Sequence, residues 1–117
     1  MSSALHLDES ALDQLFLALA SQSRRQILDI VTDAPGCTIG QVSDRFEMSR
    51  IGVLKHIGVL EEAGLLTSQR HGRERRLWFN AVPLQWVHER WSERYHAFWA
   101  NRLTRLKYRL EKEGDER

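Results

Sequence analysis

The chain has 117 residues, 42% of them hydrophobic and 28% charged; that is one domain's worth of ordinary globular composition and excludes a disordered tail. No apolar run approaches the ~18 residues that a membrane span requires, and Met1–Glu9 lacks the basic-then-apolar layout of a secretory signal, so a cytoplasmic chain with no membrane partner is expected. The net charge of +1 conceals −4 over residues 1–48, +3 over 49–82 and +2 over 83–117, an asymmetry that points weakly to a polyanion on the middle third.

From the N-terminus, Leu12, Leu15, Phe16 and Leu19 recur at helical spacing and predict an amphipathic helix over Asp8–Ala20. Asp8, Glu9 and Asp13 suit its positive end. Ser21 or Ser23 caps a second helix through Ile27, Leu28 and Val31, which Asp33-Ala34-Pro35-Gly36 stops. Cys37 follows, the lone cysteine, which rules out an internal disulfide and any all-cysteine zinc site. It reads as a semi-buried small residue, with a redox-sensing thiol the minor alternative.

Thr38 and Gln41 form a capping-box pattern that opens a short helix with Ile39, Val42 and Phe46 on its apolar face. Ser49 caps the next helix, which ends at Ala63-Gly64. Two helices, 38–46 and 49–62, joined by about three residues have the spacing of a helix-turn-helix. Leu65–Arg70 and Arg73–Asn80 then flank His71-Gly72 and predict a two-stranded hairpin with a basic tip. Pro83 opens a last helix of near thirty residues, to about Lys112, and Gly114–Arg117 reads as a frayed end. The expected fold is mainly α with a two-stranded β-wing, a single winged helix-turn-helix domain over 1–117. The helix-turn-helix occupies about 38–64, the wing about 65–80 and a C-terminal dimerisation helix about 83–112.

Within 49–62, Val53, Ile57 and Leu60 must face the core, and Gly52 suits a close helix crossing. Arg50, Ile51, Leu54, Lys55 and His56 are left outward. Two exposed aliphatics beside cations make sense in a major groove, where arginine reads guanine and aliphatics touch thymine methyls. The alternatives are that Leu54 tucks against the preceding helix, or that Ile51 and Leu54 dock another protein. With the helix-start hydroxyls of Thr38 and Ser49, these residues form the expected contact surface for double-stranded DNA. Arg70, Arg73 and Arg75 at the hairpin tip would grip the flanking phosphates, although a charged turn also keeps a sheet edge soluble.

The last helix carries Val87, Trp91, Tyr95, Phe98, Trp99, Leu103 and Leu106 in steps near a coiled-coil seam. A stripe this long predicts a homodimer, a bundle with Leu12, Leu15, Phe16 and Leu19, or both at once. His88, Glu89, Glu93 and His96 on the same helix are weak candidates for metal ligands, and His6 stands apart in the N-terminal tail. No phosphate loop, nucleophile elbow or carboxylate pair is present, so neither an enzyme nor a cofactor is expected.

Together these motifs resemble the arsenical-resistance-repressor (ArsR-type) family of winged-helix regulators, over Leu19 to about Leu110. Leu19-Ala20-Ser21-Gln22-Ser23-Arg24-Arg25-Gln26-Ile27-Leu28 is similar to the family's L-A-D-P-T-R-R-x-I-L, with Ser, Gln and Ser in place of Asp, Pro and Thr. Met48–Ile57 and Val59–Leu66 resemble its recognition helix and exit, and Gly72-Arg73-Glu74-Arg75 its wing. Trp91, Tyr95, Trp99, Leu103, Leu106 and Lys107 resemble the last helix of one subgroup. The resemblance implies a dimeric repressor released from its operator by a signal. Family metal sensors use a Cys-x-Cys segment in the first helix of the pair, or Asp, His and Glu on the last helix. Here Ile39–Asp44 contains no cysteine and the last-helix match is poor, so the usual metal motifs are missing and the effector is unknown.

Overall fold

The structure is a computed structural model that describes residues 8–115; His6 and the last two residues of the expected frayed end lie outside the described residues. The chain divides into two compact units, one ending at Leu84 and the other beginning at Gln85.

In the first unit, α1 (Glu9–Leu19) starts at Asp8, whose carboxylate accepts from the Ala11 N–H at 2.7 Å. Its inner stripe is Leu12, Leu15 and Ala18. Helix α2 (Gln22–Asp33) is capped by Ser21 rather than Ser23, with the Ser21 hydroxyl accepting from Arg24 N–H. Because α1 has no basic residue in its last turn, its carbonyl end is served from the next helix. Arg24 donates to Ala18 O at 2.8 Å and Leu17 O at 2.9 Å, and Arg25 to Leu19 O at 2.7 Å. Two guanidiniums thus satisfy the orphan carbonyls and oppose the negative end of the α1 dipole.

A two-residue strand, β1 (Cys37–Thr38), leads into α3 (Ile39–Ser43). The capping box is present, Gln41 N–H to Thr38 Oγ1 at 3.1 Å and Thr38 N–H to Gln41 Oε1 at 2.9 Å. Helix α3 is shorter than the expected 38–46. After Ser43 the N–H groups of Arg45 and Phe46 bond back only three residues, to Val42 and Ser43, which tightens the chain into turns. The link to α4 (Arg50–Glu62) is therefore the six residues 44–49, not about three, and half-buried Phe46 lies in it.

Ser49 caps α4 by accepting from Gly52 N–H at 3.1 Å. Its exit is a full Schellman motif: Gly64, at φ +80°, donates to Glu61 O and Leu65 donates to Leu60 O. A left-handed residue is required there, and glycine adopts it without a Cβ clash.

Strands β2 (Leu66–His71) and β3 (Glu74–Phe79) pair antiparallel, from Leu66 opposite Phe79 to His71 opposite Glu74. The turn is Gly72-Arg73, one residue later than expected. A two-residue hairpin that matches strand twist wants glycine at its first central position, and Gly72 is there at φ +65°. The wing gains a third strand, since β1 pairs with β3 and the order is β1-β3-β2. A two-residue strand carries no alternation from which it could be predicted.

The core of this unit comprises Leu15, Ala18, Ile27, Val31, Val42, Val53, Ile57, Leu60, Leu65 and Leu77, all without solvent exposure. Cys37 is buried, more fully than the semi-buried position expected; loss of hydration raises its thiol pKa, opposed by a weaker backbone hydrogen bond. Helix α5 (Val82–Asp115) begins as the first unit ends and supplies all of the second. No helix among the described residues is long and apolar enough to cross a membrane.

Candidate nucleic-acid interface

Helix α4 is two-sided. Val53, Ile57 and Leu60 are fully buried, while Ile51 is 68% and Leu54 36% exposed, and Arg50 and Lys55 are exposed beside them. Leu54 is the less exposed of the two aliphatics. Ser49 Oγ accepts from the helix and keeps its hydroxyl hydrogen for an external acceptor, as does half-buried Thr38 at the start of α3. Arg50 and Ser49 stand at the positive end of the α4 dipole. The result is a convex ridge with cations and hydroxyls around two aliphatic side chains.

Three expectations within the first unit need correction. His56 does not point outward. It is half-buried, and its Nδ1 lies 3.1 Å from Arg24 Nη1. Gly52 has the preceding link, not another helix, as its nearest neighbour; the three atoms nearest to a Cβ there belong to Met48 and Ser49, at 3.5–3.8 Å. Arg75 is not free for phosphate: it is ion-paired with Glu61 of α4 and donates from Nε to Ser68 Oγ at 3.0 Å. Ser68 in turn donates to Glu61 Oε2 at 3.0 Å. Arg70 and Arg75 are cross-strand partners, so the carboxylate offsets repulsion that the bare hairpin would carry.

The wing thus has two kinds of arginine. Arg75 is tied to α4, and Arg76 donates to Gly36 O at 3.0 Å and Glu74 Oε2 at 3.1 Å. Arg70 and Arg73 are exposed, and among the described residues neither has a hydrogen-bond or ion-pair partner. Sequence reasoning ranked Arg70, Arg73 and Arg75 alike because spacing along a hairpin does not reveal that Glu61, on another element, reaches its base. It also missed the capping role of Arg24 and Arg25, whose only signal was the absence of a base in the last turn of α1.

Of the residues expected to mediate dimerisation, Leu12 and Leu15 are spent on the core of their own unit, at 6% and 0% exposure. Their position on the inner stripe of α1 makes that burial unavoidable. Phe16, at the edge of the stripe, is exposed and Leu19 half-buried. On α5, Val87 is half-buried, and Trp91, Tyr95, Phe98, Trp99, Leu103 and Leu106 are all exposed. Tyr95 and Phe98 each meet Trp99 edge-on, with centroids 6.0 and 5.8 Å apart. The His88 and His96 rings are 6.5 Å apart, and Glu89 accepts from Gln85 at 3.2 Å. Among the described residues, no group of three or more His, Cys, Asp or Glu side chains is placed to hold a metal ion.

Residues 19–69, which run from the end of α1 into β2, match the helix-turn-helix domain family. The chain is 37% identical over 87 residues to the uncharacterized HTH-type transcriptional regulator YuzN of Bacillus subtilis (strain 168), covering 69% of this chain and 95% of that relative. Among solved structures it is similar to an ArsR-like transcriptional regulator from Rhodococcus sp. RHA1, at 31% identity and TM-score 0.63. That match covers 84% of this chain and 91% of the other. It is also similar to an ArsR family transcriptional regulator at 26% identity and TM-score 0.68, covering 81% and 96% of the respective chains. With its capped helix pair, its basic wing and these relatives, the chain belongs to the ArsR-type family of helix-turn-helix transcriptional regulators.

Proposed function

We propose that this regulator is a cytoplasmic, homodimeric repressor that binds duplex DNA through α4 and the wing and dimerises through α5. The observation that carries the reading is the outward face of α4, where Ile51 and Leu54 stand exposed between Arg50 and Lys55 over a fully buried inner face. Aliphatics held beside cations suit the floor of a major groove, where thymine methyls and guanine acceptors lie side by side. Thr38, Ser49, Arg70 and Arg73 would take phosphates on either side. In a symmetric dimer of helix-turn-helix proteins the two half-sites lie about one helical turn of DNA apart.

The same ridge could serve a protein partner, but free arginines at the wing tip and hydroxyls at two helix starts favour a phosphate-bearing one. The deciding experiment is a footprint on the protein's own promoter with a salt titration. A dyad of half-sites about ten base pairs apart, and affinity falling steeply with salt, is expected. Salt-insensitive or undetectable binding would overturn the proposal. An Arg50→Ala/Lys55→Ala variant that bound as tightly as the parent would remove α4 from the groove.

A further inference from the structure

We propose that Arg24 and His56 form a positioning pair, in which Arg24 holds His56 as its Nε2–H tautomer and so fixes the rotation at which α4 presents its outer face. The proposal rests on α4 reading DNA. Three donor directions of one guanidinium are used: Nε to Ala18 O at 2.8 Å, Nη2 to Leu17 O at 2.9 Å and Nη1 toward His56 Nδ1 at 3.1 Å. A guanidinium has no acceptor, so Nδ1 accepts and the ring proton resides on Nε2. Arg24 itself lies in the first turn of α2, where its own N–H is taken by Ser21. One planar group thereby joins the carbonyl end of α1, the start of α2 and the middle of α4, residues 32 positions apart in the case of His56.

The one other directed side-chain tie described for α4 lies at its C-terminal end, where Glu61 meets Arg75 and Ser68 of the wing; nearer the groove-facing residues the helix is held by its buried Val53, Ile57 and Leu60. Apolar burial is non-directional, and the Glu61 tie acts more than one turn further along the helix, so rotation around residues 50–56 is specified less sharply by either. A directed, charge-assisted hydrogen bond specifies it. His56 follows Lys55 and is two residues from Leu54, so any rotation it resists is a displacement of the groove-facing side chains. Backbone contacts from Arg70 and Arg73 on the wing do not depend on that rotation. The pair should therefore matter for sequence-selective binding and not for general affinity.

The test uses the full chain and two duplexes: one enriched from a random pool by the wild-type protein, and a scrambled one of the same composition. Arg24→Ala and His56→Leu should each lose about tenfold in affinity for the enriched duplex and stay within roughly twofold on the scrambled one. The double variant should be no weaker than the worse single, as expected of one shared bond. His56→Asn, whose Oδ1 can accept where Nδ1 does, should restore most of the selectivity, and nitrogen NMR of the wild type should show His56 protonated at Nε2. Equal losses on both duplexes, additive losses, failure of the Asn rescue or an Nδ1–H ring would each overturn the proposal. If the wild type enriches no duplex, the DNA reading falls and this proposal with it, which is a different result from enrichment with uniform losses. Thermal melts of each variant identify any that fail to fold, and the Asn variant keeps the test decisive if His56→Leu is one of them.

Discussion

Helices α4 and α5 both carry large apolar side chains into solvent, in different density and company. On α4 there are two, Ile51 and Leu54, flanked by Arg50 and Lys55 and backed by a closed core. On α5 the apolar exposure runs unbroken from Trp91 to Leu106, about 22 Å of helix at 1.5 Å per residue. Its cations lie over the rings, with Arg90 5.0 Å from the Trp91 centroid and Arg102 5.5 and 5.6 Å from Phe98 and Trp99. Two aliphatics offer little area for protein association, and in the proposed function they would meet methyl groups set among polar base edges. A long aromatic stripe offers the area and the rigid anchors that protein interfaces use. The same class of side chain thus points to different partners according to what surrounds it.

That contrast can be broken in four places, the largest first. On α4 itself, Ile57→Ala should cost about 2–5 kcal/mol in denaturant melts, from lost burial and a residual cavity. Ile51→Ala should cost under about 0.5 kcal/mol, as an exposed site does. Similar costs would mean that the two faces of α4 are not distinct. On α5, Trp99→Ala should weaken self-association by about 2 kcal/mol or more, roughly thirtyfold, in sedimentation equilibrium. A wild-type chain that sediments as a monomer at tens of micromolar would dispose of the dimer.

The wing supplies a smaller comparison. Arg70→Ala or Arg73→Ala should lower the slope of log affinity against log salt by about one each, with unchanged melting. Arg75→Ala should leave the slope alone and lower the melting temperature, because Glu61 and Ser68 lose their common partner. A reversal of those two outcomes would mean that the ion pair opens on DNA. Smallest are two glycines, Gly58 inside α4 and Gly64 just beyond its C-cap. Nothing lies within 4 Å of a Cβ at Gly58, so Gly58→Ala should stabilise by up to about 1 kcal/mol through helix propensity. Gly64→Ala should destabilise by at least as much, being forced to φ +80°. Both are read from melting curves.

The capped starts of α3 and α4 are legible in the sequence because a cap is local chemistry. Thr38 and Ser49 each answer an N–H three residues on, whereas Asp8, expected inside α1 as a charge at its positive end, is in fact its cap. The inner face of α4 follows from helical period alone, and so does the stripe on α5; on α1 the period gives Leu12 and Leu15 but also Phe16, which is exposed, and passes over the buried Ala18. What went unread were relations between elements. The β1 strand was invisible because two residues have no period, and the hairpin turn slipped by one because His71-Gly72 and Gly72-Arg73 both contain the required glycine. Phe46 has helical spacing, although the chain tightens into a turn after Ser43.

The sequence by itself determined that a helix-turn-helix, a basic hairpin and a long aromatic helix follow one another, since caps, periods and turn residues act over three or four positions. Only the tertiary structure decided which of the candidate residues are at liberty to bind anything. His56 faces Arg24 from 32 positions away and Arg75 faces Glu61 from 14, and Leu12 and Leu15 are committed to the core. The physical reason is that a charged or polar side chain satisfies itself with whatever partner the fold brings near, and that partner's distance along the chain leaves no trace in the local pattern.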